Sequence, residues 1–246
     1  MPDSIRPWLR RQAARLQAAL PSCCALCGRS GGSVLCHSCR QRYLAPARLR
    51  CRQCALPLPA GAALALCGAC LRRPPAFDAA IVVTDYDAPL DQLVLSLKFG
   101  AQLALAPLFG ALLADALRRQ PQDAWPTLLT VVPLGRQRLA ERGFNQALEI
   151  ARPLARDLKL SLDPRLLMRC RETAPQTLLK PADRRANLRQ AFVVPAAGMD
   201  SVRGRHVGVV DDVITTGVTL NEIAATLKRF GAARVTCLAF ARTSLK

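Results

Sequence analysis

Residues 209–219 read Val209-Val210-Asp211-Asp212-Val213-Ile214-Thr215-Thr216-Gly217-Val218-Thr219. The apolar run His206–Val213 reads as a buried strand that delivers two acids at its carboxyl end. A turn of hydroxyl and glycine residues follows, and a helix over about 219–230 begins directly after it. In an open α/β sheet this end of the strands is where ligands sit. The loop amides and the helix N-terminus offer donors to an anion, and Gly217 lets the backbone approach it closely. Thr215, Thr216 and Thr219 add hydroxyl donors around Gly217 and Val218. Such a pocket fits a monophosphate. Asp211 and Asp212 cannot hold that anion, but they suit vicinal sugar hydroxyls, or a metal, one ester linkage away. The segment reads as a ribose 5-phosphate cradle. A strand ending in two solvated acids before a Thr-rich cap is the plainer alternative, and it leaves the agreement of eleven consecutive residues unexplained.

Around this stretch, strands alternate with helices. AAIVVTDY (79–86), LLTVVPL (128–134, stopped by Pro133), AFVV (191–194) and RVTCLAF (234–240) read as strands. Residues 89–98 and 102–119, broken around Gly100, and residues 145–159 carry helical apolar spacing. The pattern implies an α/β fold: a mostly parallel sheet with helices on both faces. The turn Pro133-Leu134-Gly135-Arg136 lies at another strand's carboxyl end, where a second anion pocket belongs, and Arg136, Arg138 and Arg142 would neutralise it. A solvated basic helix start is the alternative for any one of them. Residues 169–190 are basic and poorly periodic, and read as a mobile loop. Other phosphate motifs fail: no Gly-Lys pair exists anywhere, and there is no G-x-G-x-x-G. With only two histidines, His37 and His206, a His-based hydrolase is disfavoured.

The amino-terminal part has a different texture. Of eleven cysteines, nine lie between Cys23 and Cys70, and eight of these form four C-x-x-C pairs: Cys24/Cys27, Cys36/Cys39, Cys51/Cys54 and Cys67/Cys70. A C-x-x-C turn aims two sulfurs at one point, and two turns complete a tetrahedral sphere, which favours zinc. An iron–sulfur cluster is the competing occupant. The spacing permits neighbour pairing or an interleaved cross-brace; the doubled layout favours the first. Cys23 can replace Cys24, and His37 reads as a bystander. Closed tetrathiolate sites are structural, so this module acts through its surface or serves as a cap. The expected organisation is a basic amphipathic helix over 1–21, a double zinc ribbon over 22–75 and the α/β domain over 76–246.

The chain has 246 residues with 51% hydrophobic and 21% charged, which supports a packed core and excludes wholesale disorder. Thirty-five Lys and Arg against 17 Asp and Glu give +18, a field that attracts phosphates, nucleic acid or anionic membrane. Residues 1–75 hold twelve basic residues and one acid. Two tetrathiolate zinc sites would lower that local excess without reversing it. The start, MPDSIRPWLRRQAARLQAAL, has no continuous apolar core and is no secretory signal. The longest apolar run, Leu103–Ala114, is too short to span a bilayer. A chain with paired metal thiolates and no stable membrane insertion is expected in a reducing, cytoplasmic compartment.

The Asp-Asp loop resembles the 5-phosphoribosyl-1-pyrophosphate (PRPP) motif of the type I phosphoribosyltransferases. The wider pattern resembles the ComF family, which joins a cysteine-rich zinc module to a phosphoribosyltransferase domain. It is carried by Leu97-Lys98-Phe99, by Val132-Pro133 with Arg142-Gly143-Phe144-Asn145-Gln146, and by Arg171-x-Thr173-x-x-Gln176. Arg184 or Arg185 with Asn187, then Ala191-Phe192, complete it. The resemblance implies that Leu134, Gly135, Arg136, Arg138 and Arg142 bind pyrophosphate. It also implies that a loop containing Arg171, Thr173, Gln176, Arg184 and Asn187 closes over substrate. Mg²⁺ would accompany PRPP, and Asp211 and Asp212 would be the catalytic acids. The implied role is in DNA uptake during natural transformation, with single-stranded DNA and a DNA-uptake or helicase-type protein as partners. A phosphoribosyl transferase with an unknown acceptor, a non-catalytic PRPP-sensing or nucleic-acid-binding protein, and a nucleobase phosphoribosyltransferase of metabolism or salvage all fit these residues.

Overall fold

A computed structural model describes residues 22–44, 48–62, 64–170 and 191–244. The helix expected over 1–21 and the loop residues Arg171, Thr173, Gln176, Arg184 and Asn187 lie outside the described residues. The chain divides into two compact units, one up to Ala45 and one from Pro46 onward.

The first unit holds a short antiparallel pair, β1 (Ser22–Cys23) and β2 (Ser30–Gly31), and helix α1 (His37–Tyr43). Cys36 caps α1, its sulfur accepting from the Cys39 amide at 3.5 Å.

The second unit opens with another cysteine knuckle ending in α2 (Gly68–Arg72). The body follows: β3 (Ala79–Asp85), α3 (Leu90–Phe99), α4 (Leu105–Arg118), β4 (Leu128–Val131), α5 (Arg136–Arg142), α6 (Gln146–Leu158), β5 (Ser161–Leu162), β6 (Met168–Arg169), β7 (Phe192–Val193), α7 (Met199–Val202), β8 (His206–Ile214), α8 (Val218–Arg229) and β9 (Arg234–Arg242). Five strands form one parallel sheet in the order β3-β9-β8-β4-β5, while β6 and β7 pair separately and antiparallel. The central strands β8 and β9 are buried along nearly their whole length, which is why they read as continuous apolar runs; the edge strand β3 alternates.

Side chains alternate between the two faces of the sheet. On one face Phe240 of β9 stacks on Phe109 of α4, ring centroids 3.7 Å apart. Gly110 brings α4 against α6: a Cβ there would lie 2.7 Å from the Pro153 ring and 3.0 Å from the Ile150 carbonyl. On the other face Val207, Val209, Cys237 and Ala239 pack with Leu220, Ile223, Ala224 and Leu227 of α8. Helices therefore cover both faces.

Cys51, Cys54, Ala55 and Cys70 belong to that second apolar cluster, together with Phe77. The second knuckle is thus part of the body's core, whereas the sequence grouped both knuckles into one module over 22–75. The sequence also gave no separate helix over 136–142, because a seven-residue basic segment has too few apolar positions to show a period.

Chain direction fixes where a ligand can sit. From β4 the chain moves outward to β5, and from β8 it moves the other way to β9. The loops after β4 and β8 therefore diverge, leaving a crevice at the carboxyl ends of these neighbouring strands.

Candidate active site and metal centres

The loop Thr215–Gly217 leaves β8 on one side of that crevice. Gly217 has φ +77, a left-handed conformation, and nothing comes nearer than 3.9 Å to a Cβ placed there; backbone conformation, not space, requires the glycine. It opens α8, whose first amides have no partners within the helix. The Thr216 hydroxyl lies 3.5 Å from the Val218 amide, and Thr216, Val218 and Thr219 are half-buried while Thr215 is exposed. The loop is an accessible ring of amide and hydroxyl donors.

Asp211 and Asp212 stand in the last part of β8. Asp212 is buried; its Oδ1 accepts from the Val213 amide at 3.0 Å, and its Oδ2 meets Lys98 Nζ at 2.7 Å. Lys98 reaches it from the last turn of α3, which brings the Leu97-Lys98-Phe99 segment beside the two acids. One ammonium serves two adjacent carboxylates. Desolvation and the neighbouring Asp212 push the Asp211 carboxyl well above its usual range, against the opposing pull of Lys98. Hydroxyl donors or a divalent cation brought by a ligand would favour the ionised form of Asp211.

The loop after β4 carries Pro133, Leu134 and Gly135 into α5. Asn145 holds its return: Nδ2 donates to the Val132 carbonyl at 3.0 Å, and Oδ1 accepts from the Ala147 amide to cap α6. Arg142 ends α5 with its guanidinium 5.4 Å from the Phe99 ring centroid and bonded to the Gln146 side chain. Burial lowers its pKa, while Asp212 and Asp211 attract the cation and Arg138 repels it. Arg142 is therefore drawn toward the two acids, with Arg138 close to Arg142; Arg136 is exposed at the first position of α5.

Two neighbours escaped the sequence reading. Tyr86 directly follows β3, and its phenol is pushed above the ordinary value by burial, with Asp91 and Asp212 adding to the shift and Lys98 opposing it. Its position just past a strand's carboxyl end was the available signal. Arg242 ends β9 and is 2% exposed. Its guanidinium donates to the carbonyls of Ile214, at 3.0 Å, and Thr215, and so grips the Thr215–Gly217 loop from behind.

The eight paired cysteines converge in two groups, Cys24/Cys27/Cys36/Cys39 and Cys51/Cys54/Cys67/Cys70, each with its sulfurs within 4.8 Å of one another. This is the neighbour arrangement, with Cys23 and His37 outside it. Sulfurs 2.3 Å from a tetrahedral zinc stand about 3.8 Å apart. Cys27 and Cys36 are 3.8 Å apart, and Cys54 and Cys67 3.5 Å, so the donor sets fit the ion. The two knuckles share a turn: Gly28 donates to the Cys24 carbonyl at 2.9 Å, and Ala55 to that of Cys51 at 2.8 Å. Burial raises the Cys24 thiol, but backbone amides, chiefly that of Cys36, outweigh it and bring the pKa to about 6. Burial and the surrounding sulfurs push Cys39 to about 12. In the second group Cys51 falls to about 7, amide donors again outweighing burial, and Cys54 rises to about 11, chiefly through burial. Each site presents the concentrated negative field that a divalent cation relieves.

A parallel sheet with helices on both faces, a donor loop after β8, two acids and arginines across the crevice together fit a phosphoribosyltransferase-type domain. The phosphoribosyl transferase domain family matches residues 145–244. A DNA utilization protein YhgH of Escherichia coli O157:H7 is 37% identical over 235 residues, covering 91% of this chain and 98% of the relative. Competence protein F of Haemophilus influenzae is 35% identical over 179 residues, 72% of this chain and 78% of the relative. The chain belongs to the ComF family. Among solved structures, a glutamine PRPP amidotransferase from B. subtilis is 21% identical with a TM-score of 0.37, covering 56% of this chain and 26% of that one. No helix among the described residues is long and apolar enough to cross a membrane.

Proposed function

We propose that this protein binds PRPP at the crevice between β4 and β8 and acts in DNA utilization, in the cytoplasm. The observation that carries the binding reading is the meeting of Lys98, Asp212, Asp211 and Arg142 beside the Thr215–Thr219 loop. The loop amides and hydroxyls take the 5′-phosphate, the acids face the ribose hydroxyls, and Arg138 and Arg142, with Arg136, face the pyrophosphate. Mg²⁺ bound with the substrate would neutralise charge on the leaving pyrophosphate. The chain's own residues favour departure of that anion in the same way: arginines receive its charge, while the carboxylates favour positive charge developing at the anomeric carbon. Among the described residues the site has no histidine, since His206 lies at the opposite end of β8; the acceptor brings its own nucleophile.

Calorimetric titration with PRPP and Mg²⁺, followed by a pyrophosphate-release assay with candidate acceptors, tests this. Binding with release identifies a transferase, and binding without release identifies a sensor on the same fold. Absence of binding refutes the reading.

The DNA role is extended from the names of the relatives, and the charge of the chain supports it. Residues 1–75 carry twelve basic residues against one acid, and Arg29, Arg40 and Arg42 are exposed on the first unit. We assign single-stranded DNA to the exposed arginines of the first unit. If about four to six phosphates are neutralised, the log–log slope of affinity against salt lies near −3 to −4. In the full chain, Arg29→Gln with Arg42→Gln should reduce that slope by about 1.4 while leaving PRPP binding unchanged. An unaltered slope moves the DNA contact elsewhere.

A further inference from the structure

The second cysteine knuckle lies against the back of the phosphate loop, and one buried side chain touches both. Arg242 Nε donates to the Cys54 carbonyl at 3.1 Å. Its Nη1 faces the carbonyls of Ile214 at 3.0 Å, of Thr215, and of Thr243 at 3.2 Å. Thr243 reinforces the grip, its amide donating to Ile214 at 3.0 Å and its hydroxyl to Thr215 at 3.1 Å.

A second connection runs to the far side of the loop. Gln53 Nε2 donates to the Phe77 carbonyl at 3.4 Å, and the Ala76 amide donates to Asn221 Oδ1 at 2.8 Å in the first turns of α8. The Phe77 ring edge stands 3.9 Å from where a Cβ on Gly217 would lie. The knuckle therefore holds the loop at its carbonyl side through Arg242 and at its helix side through residues 76–77.

A guanidinium offers only donors in a fixed planar fork, so its acceptors must be held in one geometry. Here they are four main-chain carbonyls: Cys54 within a metal-ligand turn, Ile214 and Thr215 where β8 passes into the phosphate loop, and Thr243 beside them. A zinc ion with four thiolates carries a net charge of −2 and would offset the buried cation beside it. Moving the Cys54 turn, as loss of a metal would, removes an acceptor from Arg242 and loosens the carbonyls of Ile214 and Thr215. The amides of that loop are the donors to the phosphate, so their aim changes with it.

We propose that Arg242 is a positioning residue coupling the Cys51/Cys54/Cys67/Cys70 metal site to the phosphate loop, so that metal retention and phosphosugar binding strengthen one another. This rests on the PRPP reading for the identity of the ligand, but not for the coupling itself. Thermodynamic linkage requires the effect to be reciprocal.

The test uses the full zinc-loaded chain carrying Cys36→Ser and Cys39→Ser, which confines zinc to the second tetrad. Zinc release to a zinc-selective chromogenic chelator is followed with and without saturating PRPP and Mg²⁺. PRPP should slow release at least fivefold, and Arg242→Lys should abolish that protection while the protein remains folded. A structural role alone would change stability but not the ligand dependence of zinc release. Binding of PRPP without protection, or equal protection in Arg242→Lys, overturns the proposal. If PRPP does not bind at all, the functional reading fails and amide exchange decides the coupling separately. Exchange at residues 215–219 should quicken when zinc is stripped, and unchanged exchange overturns the proposal. The same exchange measurement on the chain with native Arg242 decides the matter if Arg242→Lys does not fold.

Discussion

Replacing Lys98 by Met keeps the length and apolar stem of the side chain and removes its charge. The ammonium stands 2.7 Å from Asp212 Oδ2, with side-chain exposures of 22% and 3%. At an effective dielectric near 20, unit charges at 2.7 Å attract by ~6 kcal/mol, most of it offset by the desolvation of both groups. Truncating one partner of a buried pair costs about 3–5 kcal/mol, because the other charge is left uncompensated. Lys98 is one-fifth exposed, so water replaces part of its contribution, and the expected loss lies at the low end, ~3 kcal/mol. For a domain of this size that corresponds to a fall in Tm of about 6–12 °C. Asp212→Asn alone should cost about 1 kcal/mol, since the released ammonium can turn to solvent. The double variant should lose about 2 kcal/mol, less than the sum of the single losses by ~2 kcal/mol. Urea denaturation of all four proteins at pH 7.5 measures the cycle. If the two substitutions are additive within about 0.5 kcal/mol, the ion pair carries none of the stability ascribed to it.

Asp211→Asn should stabilise the protein while weakening PRPP binding tenfold or more, roughly 1.4 kcal/mol. A raised folded-state carboxyl pKa contributes stability below the ordinary value of 3.8, and that contribution is lost as pH rises through the folded value. The variant's advantage, on the order of 1 kcal/mol, should therefore appear at neutral pH and vanish as pH falls toward 4; an advantage that grows with acidity would contradict this. Thr216→Asp places a carboxylate in the loop proposed to hold the phosphate and should raise the PRPP Kd at least about tenfold; unchanged affinity in both variants would put the ligand site elsewhere. Elemental analysis should find two zinc ions per chain, with binding that releases protons and weakens as pH falls; iron with sulfide would refute the assignment. Gly110→Ala should cost about 1–3 kcal/mol, because the new methyl meets the Pro153 ring and the Ile150 carbonyl, and an unchanged Tm would mean that α4 and α6 separate without cost.

The sequence was legible wherever the chemistry lies close along the chain. Residues 209–219 reveal a strand, two acids, a donor loop and a helix start because each step is local. The C-x-x-C pairs reveal cysteine tetrads able to hold a metal because a single turn fixes both sulfurs, and β8 and β9 reveal a doubly covered sheet through unbroken burial. Folding decided what lies far apart. Lys98 and Asp212 meet from α3 and β8, and which of many basic residues would face the acids depends on how the helix settles on the sheet. Cys54 and Arg242 are 188 positions apart, and their bond ends on a main-chain carbonyl, which every residue possesses and no motif can mark. Nor could the cysteine pattern show that one knuckle joins the body's core, because apolar burial is non-directional and its partners are chosen only when the surfaces come together.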